Sequence, residues 1–252
     1  MESNQAVYYR SRIVQKYADE AAHGLTIPEE FCLDLVPQSS RGSVLDIGIG
    51  GGRTTEALAG KFERYVGVDY SAAMIDAASK LHPDRDLRVM DARELQFGND
   101  EFDCVVFSFN GIDSVGSYDD RHKIFREVSR VLKPGGYFIY STKNIRYWKM
   151  PEWKDKFWHP GIFLSWKSPL RAIPNRLRNF WKQSIDEDLG IAFVNEQGHG
   201  FSFVHAYVDI EKELENLKTY DLVSVDKIGR LKTAAGYDTD DEWVYVTVQK
   251  RP

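Results

Sequence analysis

Short apolar runs alternate with amphipathic stretches through the middle of the chain. Val44-Leu45-Asp46-Ile47, Tyr65 to Val68, Leu87 to Met90, Phe102 to Phe109 and Tyr137 to Thr142 each read as a strand. The near-continuous apolar core of the fourth suits a parallel sheet covered on both faces. Between these runs, Arg53 to Lys61, the stretch from Ser71 to about Leu81, and Ser117 to Leu132 read as helices. In the last, Ile124, Phe125, Val128, Val131 and Leu132 point inward, and Lys133-Pro134-Gly135-Gly136 stops the helix. Strand and helix in alternation predict an α/β fold. Upstream, Ala6 to His23 carries apolar residues at helical spacing before Gly24, and Pro28 opens a second helix through Val36. Downstream, a helix from about Val208 to Tyr220 precedes strands at Leu222 to Ile228 and Trp243 to Val248.

The candidate chemistry gathers at strand ends. Gly48, Gly50 and Gly52 follow the first strand, where residues without Cβ allow positive φ and let a ligand lie against backbone and new helix N–H groups. A glycine turn of this kind also serves nicotinamide and flavin enzymes. Here, however, three strands end in acids. Asp69 can accept both ribose hydroxyls of a nucleoside, and Asp91 can accept from an exocyclic amine with Ala92 beside the base. Asp46 would repel a pyrophosphate and instead suits the amino group of an amino acid, directly or through water.

In this order, Val44 to Gly52, Gly67-Val68-Asp69-Tyr70-Ser71 with Met74, Asp91-Ala92, Phe102 to Val106 and Arg130 to Gly136 resemble the motifs of class I S-adenosylmethionine-dependent methyltransferases. The resemblance implies a Rossmann-like, seven-stranded, mostly parallel sheet with helices on both faces. It implies S-adenosylmethionine as cofactor, S-adenosylhomocysteine as product, and a small-molecule acceptor. The cofactor residues would be Asp46, Gly48, Gly50, Gly52, Asp69, Tyr70, Met74, Asp91, Ala92 and Ser108. Residues 1–40 would form a helical cover, with Tyr17 lining the site and Tyr8, Tyr9 and Arg12 as further candidates. The methyltransferase domain would comprise residues 41–143 and 206–252. Family members that methylate adenine or amino groups through an N/D-P-P-Y/F loop are not matched at Asn110, because Gly111 and Ile112 replace the prolines.

Composition narrows the rest. No apolar run approaches the roughly 20 residues needed to cross a bilayer, and the first residues begin no signal peptide, so a soluble, cytoplasmic protein is expected. With only Cys32 and Cys104, neither a disulfide nor a cysteine metal site is expected, and no other pattern points to a metal. The net charge of −5 argues against nucleic-acid binding by the whole surface.

Residues 144–205 are longer than a minimal connection needs and read as an inserted lid over the acceptor. The stretch is crowded with aromatics, and from Ile145 to Lys182 nine Lys or Arg face only Glu152 and Asp155. Three readings compete: a lid shaping a pocket for an anionic or aromatic small molecule, a platform for RNA, and a helical subdomain or contact between two copies. A hydroxyl acceptor needs a general base, for which His205 and then His199 are preferred, and Asn110 stands where the fourth strand should meet the acceptor. The reading is methyl transfer to an O or N atom of a small molecule. Its alternatives are a tRNA or other RNA methyltransferase and a non-catalytic S-adenosylmethionine-binding regulatory or scaffold protein.

Overall fold

The computed structural model describes residues 14, 17, 23–148, 184–194, 204–229, 232–233, 236–237 and 241–252. Helix α1 is Ile27–Asp34. Then come β1 Ser43–Ile47, α2 Thr55–Ala59, β2 Arg64–Asp69, α3 Ala72–Leu81, β3 Asp86–Val89 and β4 Phe102–Phe107. A single turn, Gly111–Ser114, leads to α4 Tyr118–Val131, β5 Leu132–Lys143 and α5 Ile145–Trp148. Strands β6 Ser184–Asp186, β7 Ile191–Val194 and β8 His205–Val208 precede α6 Ile210–Leu217 and β9 Leu222–Gly229. The two-residue strands β10 Lys232–Thr233 and β11 Gly236–Tyr237 then lead to β12 Trp243–Lys250.

Seven strands form one sheet in the order β3-β2-β1-β4-β5-β12-β9. Parallel pairing holds from β3 to β5, and only β12 runs against its neighbours, with Trp243 opposite Lys143 and Val244 opposite Gly229. Alternation along each strand explains why both faces are covered. Leu45, Val66, Val105, Phe138 and Val246 pack with Ile124, Phe125 and Val128 of α4, while Val44, Tyr65, Cys104, Ile139 and Tyr245 pack with Cys32 and Leu33 of α1 and Leu58 of α2. Both cysteines are buried free thiols of the second layer. Serines cap two helices: Ser71 Oγ accepts from Met74 N–H and Ser117 Oγ from Asp120 N–H.

Three expectations change. The helix after the glycine turn begins at Thr55 rather than Arg53. The fifth strand starts at Leu132, so Lys133-Pro134-Gly135-Gly136 lies within it, accommodated by a register shift between Phe102 and Cys104 of β4. Finally, β8 pairs antiparallel with β7, and β7 with β6, so a second, three-stranded sheet straddles the expected boundary at 205/206. Ile145, Ala192, Val194 and Tyr207 give that sheet its own small core. Most of the expected first helix, including Tyr8, Tyr9 and Arg12, lies outside the described residues, as do His199 and the basic run 149–182. Among the described residues no helix is long and apolar enough to cross a membrane.

Candidate active site

Strand order reverses between β1 and β4, and a cavity of about 260 Å³ opens beyond their carboxyl ends. Gly48, Gly50, Asp69, Tyr70, Met74, Ala92 and Tyr17 line it together with Ser108, Asn110 and His205. Asp46, Gly52 and Asp91 do not.

The turn after β1 holds its shape through β2. Gly48 and Ile49 N–H groups both donate to Val68 O, and Gly50 N–H donates to Asp69 Oδ2 at 3.0 Å. These donors serve the fold. Gly48 sits at φ 68°, and a Cβ there would come within 2.7 Å of the Phe107 ring. That ring also fills the space beside Gly111, where a Cβ would approach to 2.3 Å. Phe107 is therefore wedged between the two turns at the switch point, which is a physical reason for glycine at position 111. Gly52 faces away from the cavity: the imidazole of His82 and Ala78 occupy its Cβ side.

The three acids divide into one that lines the cavity and two that do not. Asp69 is 7% exposed and accepts Ser71 N–H at 2.9 Å on Oδ1 and Gly50 N–H on Oδ2, which leaves one lone pair on each oxygen. Burial raises its pKa to about 6, against the lowering effect of those two amides. Asp46 lies beneath the turn, where Thr54 Oγ1 donates at 2.6 Å and Tyr65 OH at 3.0 Å to its Oδ2. Its Oδ1 has no partner among the described residues, and burial pushes its pKa up to about 7. Asp91 turns outward, because the Arg93 guanidinium binds its carboxylate at 2.7 and 3.0 Å and also reaches Asp120. Its neighbours Met90 and Ala92 face the cavity instead.

On the other side of β1, the end of β4 carries two consecutive left-handed residues, Phe109 at φ 54° and Asn110 at φ 56°. Such backbone in a non-glycine residue costs energy and is held here by its surroundings. Asn110 N–H donates to Ser141 Oγ at 2.7 Å, and the Phe109 ring meets Trp243 edge to face at 5.2 Å. Buried Lys143 and buried His205 join Asn110 and Ser114 on this wall. Asp113, three residues beyond Asn110, is fully buried behind this wall. It binds Arg121 Nη1 at 2.9 Å, Thr142 Oγ1 at 2.6 Å and Lys143 N–H at 2.8 Å. Arg121 continues to Glu213 of α6 at 2.6 Å, so this network ties α4, β5 and α6 together behind this wall.

Met90, Lys143 and Trp243 of the cavity lining escaped the sequence reading, and so did a group that holds its mouth together. Glu29 of α1 is 2% exposed and its carboxylate grips Arg53 of the glycine turn at 2.6 and 2.8 Å. It also receives Ser108 Oγ–H from the end of β4, and Thr26 N–H at 2.6 Å. Burial would raise the Glu29 pKa, but Arg53, Ser108 and Thr26 outweigh it and hold the carboxyl below its usual range. Arg53 in turn lies 4.8 Å over the Phe109 ring. Helix α1 is thus fastened to both halves of the cavity mouth. The only local signal was a Thr26-x-x-Glu29 capping pattern, which gives no hint of partners 24 and 79 residues away.

The family model described as a methyltransferase domain matches residues 45–140. Those residues hold the glycine turn, Asp69 and the end of β4. The chain carries a class I S-adenosylmethionine-dependent methyltransferase domain. A fatty-acid O-methyltransferase of Mycolicibacterium smegmatis is 34% identical over 141 residues, covering 54% of this chain and 47% of that protein. A demethylmenaquinone methyltransferase of Renibacterium salmoninarum is 34% identical over 96 residues, covering 38% and 39%. The chain thus spans less than half the length of these curated relatives. In fold, the methyltransferase domain and its surroundings resemble an S-adenosylmethionine-dependent methyltransferase of Methanosarcina mazei at a TM-score of 0.62 and 20% identity, covering 87% of this chain and 96% of that one.

The cavity fits this cofactor on its own terms. Asp69 offers the two oxygens of one carboxylate at the end of β2, each with a lone pair to spare, and the glycine turn leaves a wall without side chains.

Proposed function

We propose that the protein transfers a methyl group from S-adenosylmethionine to an O or N atom of a small-molecule acceptor, with oxygen favoured. One observation carries this reading: a single cavity at the switch point has Asp69, Met74 and Met90 on the β2–β3 side and Asn110, Lys143 and His205 on the β4–β5–β8 side. Asp69 would take the ribose hydroxyls, Met74, Met90 and Ala92 would flank the base with their apolar surfaces, and Tyr17 would lie over the turn, where its ring stands 3.5 Å from a Cβ built on Gly50. Ser108 donates its hydroxyl to Glu29 and so helps hold α1 down.

The bound cofactor supplies an electrophilic methyl group. What remains for the chain is to orient the acceptor and exclude water, and proximity of this kind accounts for much of the rate in such reactions. Asn110 and Lys143 would orient the acceptor, and the two basic residues of the wall, Lys143 and His205, favour one with anionic or polarised oxygen. For a hydroxyl acceptor His205 would remove the proton. Aromatic contact would come from Phe109 and Trp243.

The test is calorimetric titration with S-adenosylmethionine and S-adenosylhomocysteine, followed by a methyl-transfer screen against small phenols, carboxylic acids, amines, heteroaromatic lactams and bulk tRNA. Binding with transfer to a small molecule supports the reading. Label appearing only in tRNA overturns the acceptor class, and cofactor binding with no transfer to any acceptor overturns catalysis.

A further inference from the structure

Asn110 points to the chemistry of the acceptor itself, an inference that rests on the function proposed above. Sheet order assigns the two ends of the cavity. β2 and β3, with Asp69 and Met90, lie on one side of β1, whereas Asn110 follows β4 on the other. Its backbone is fixed by the Ser141 hydroxyl, and the turn cannot relax toward β1 because the Phe107 ring fills the space between Gly48 and Gly111. The residue is 5% exposed, and neither Nδ2 nor Oδ1 has a hydrogen-bond partner among the described residues. A buried amide held in a cavity wall with its donor and its acceptor both unsatisfied is complementary to a ligand edge that carries one of each. A carboxylate offers acceptors only and would leave Oδ1 facing negative charge. An ether or a tertiary amine offers no donor. The residue before it, Phe109, forms an aromatic side of the same cavity with Trp243, which suits a planar ring.

We propose that Asn110 selects the acceptor by a paired contact, and that the acceptor is a planar ring whose edge presents an N–H or O–H donor beside a carbonyl, as in a lactam or a hydroxy-carbonyl. Oδ1 takes the donor and Nδ2 takes the carbonyl. The pair of bonds fixes the ring in its plane, which sets the heteroatom that receives the methyl group.

Carbostyril, a bicyclic lactam, and its N-methyl derivative share ring and carbonyl and differ in a methyl group that replaces the N–H donor. Both, together with benzoate, are titrated into wild-type protein saturated with S-adenosylhomocysteine, and into Asn110→Gly and Asn110→Asp, residues that adopt a left-handed backbone readily. Carbostyril should bind the wild-type protein at least about tenfold more tightly than the N-methyl compound or benzoate, the loss of one buried hydrogen bond being of that size. The preference should vanish in Asn110→Gly, and Asn110→Asp, which lacks the donor, should weaken carbostyril by about tenfold. The affinity of both variants for S-adenosylhomocysteine should stay within about twofold of wild type. Equal binding of the pair, no binding of carbostyril, tighter binding of benzoate, or a preference that survives in Asn110→Gly overturns the proposal. So does a large loss of S-adenosylhomocysteine affinity in the variants, which would put Asn110 on the cofactor. Failure of the wild-type protein to bind S-adenosylhomocysteine removes the proposed function, and this inference with it.

Discussion

In the proposed function, Asp69 is the residue on which cofactor binding turns. Its carboxylate is already aligned by Gly50 and Ser71, so replacement by Ala removes a preorganised pair of acceptors. The expected result is a loss of about tenfold to a hundredfold in S-adenosylhomocysteine affinity in calorimetry, the scale of charged hydrogen bonds. The raised pKa gives this contact a pH dependence. With a value of about 6, Asp69 holds a proton below that pH and loses half of its acceptor capacity, so affinity should fall as pH drops from 7 to 5 and level off above 7. A flat profile over that range would remove Asp69 from the ribose. For His205, the proposed role as base predicts that His205→Ala lowers kcat on a hydroxyl acceptor by about a hundredfold while cofactor affinity stays unchanged. Unaltered turnover would discard the role. Among site residues, legibility followed the backbone. Asp69 and the glycines announce themselves because strand ends and tight turns demand particular residue types, whereas Glu29, Phe107 and Trp243 act through contacts with segments far away in the chain. Asp46 and Asp91 show the limit from the other side, since an acid at a strand end can equally turn beneath the fold or out to an arginine.

At the scale of elements, α1 and the turn after β4 control the mouth of the cavity. Removing the Glu29 carboxylate leaves the largely covered Arg53 without its ion partner and releases Ser108, so Glu29→Ala should destabilise the protein by about 2 kcal/mol. It should weaken cofactor binding as well, although Glu29 does not line the cavity; thermal melting with and without S-adenosylhomocysteine measures both effects. Phe107 imposes a second constraint. Gly111→Ala would drive a methyl group into its ring and should cost about 1 to 3 kcal/mol, a loss that Phe107→Leu in the same chain should partly restore. Apolar periodicity revealed the core strands and α4, where burial on fixed faces dictates the pattern. It missed the start of β5, because Lys133-Pro134-Gly135-Gly136 has the composition of a helix stop and yet continues into the strand across a register shift. It missed β6 to β8 too, short strands whose pairing is set by partners distant in sequence.

For the whole molecule, the reversal of β12 between β5 and β9 brings Trp243 opposite Lys143, so the last strand of the sheet furnishes part of the cavity wall. The second sheet adds His205 through β8. In the proposed function, a domain that binds an adenosine-bearing cofactor on the β2–β3 side would meet its acceptor with residues that follow or lie in β4, β5, β8 and β12. The central claim is that this cavity holds S-adenosylmethionine, and titration of the wild-type protein with S-adenosylmethionine at pH 7.5, a pH about one unit or more above the Asp69 value, tests it most directly. Saturable binding of one molecule per chain is the predicted result; the absence of binding at millimolar ligand would contradict the account from the glycine turn upward.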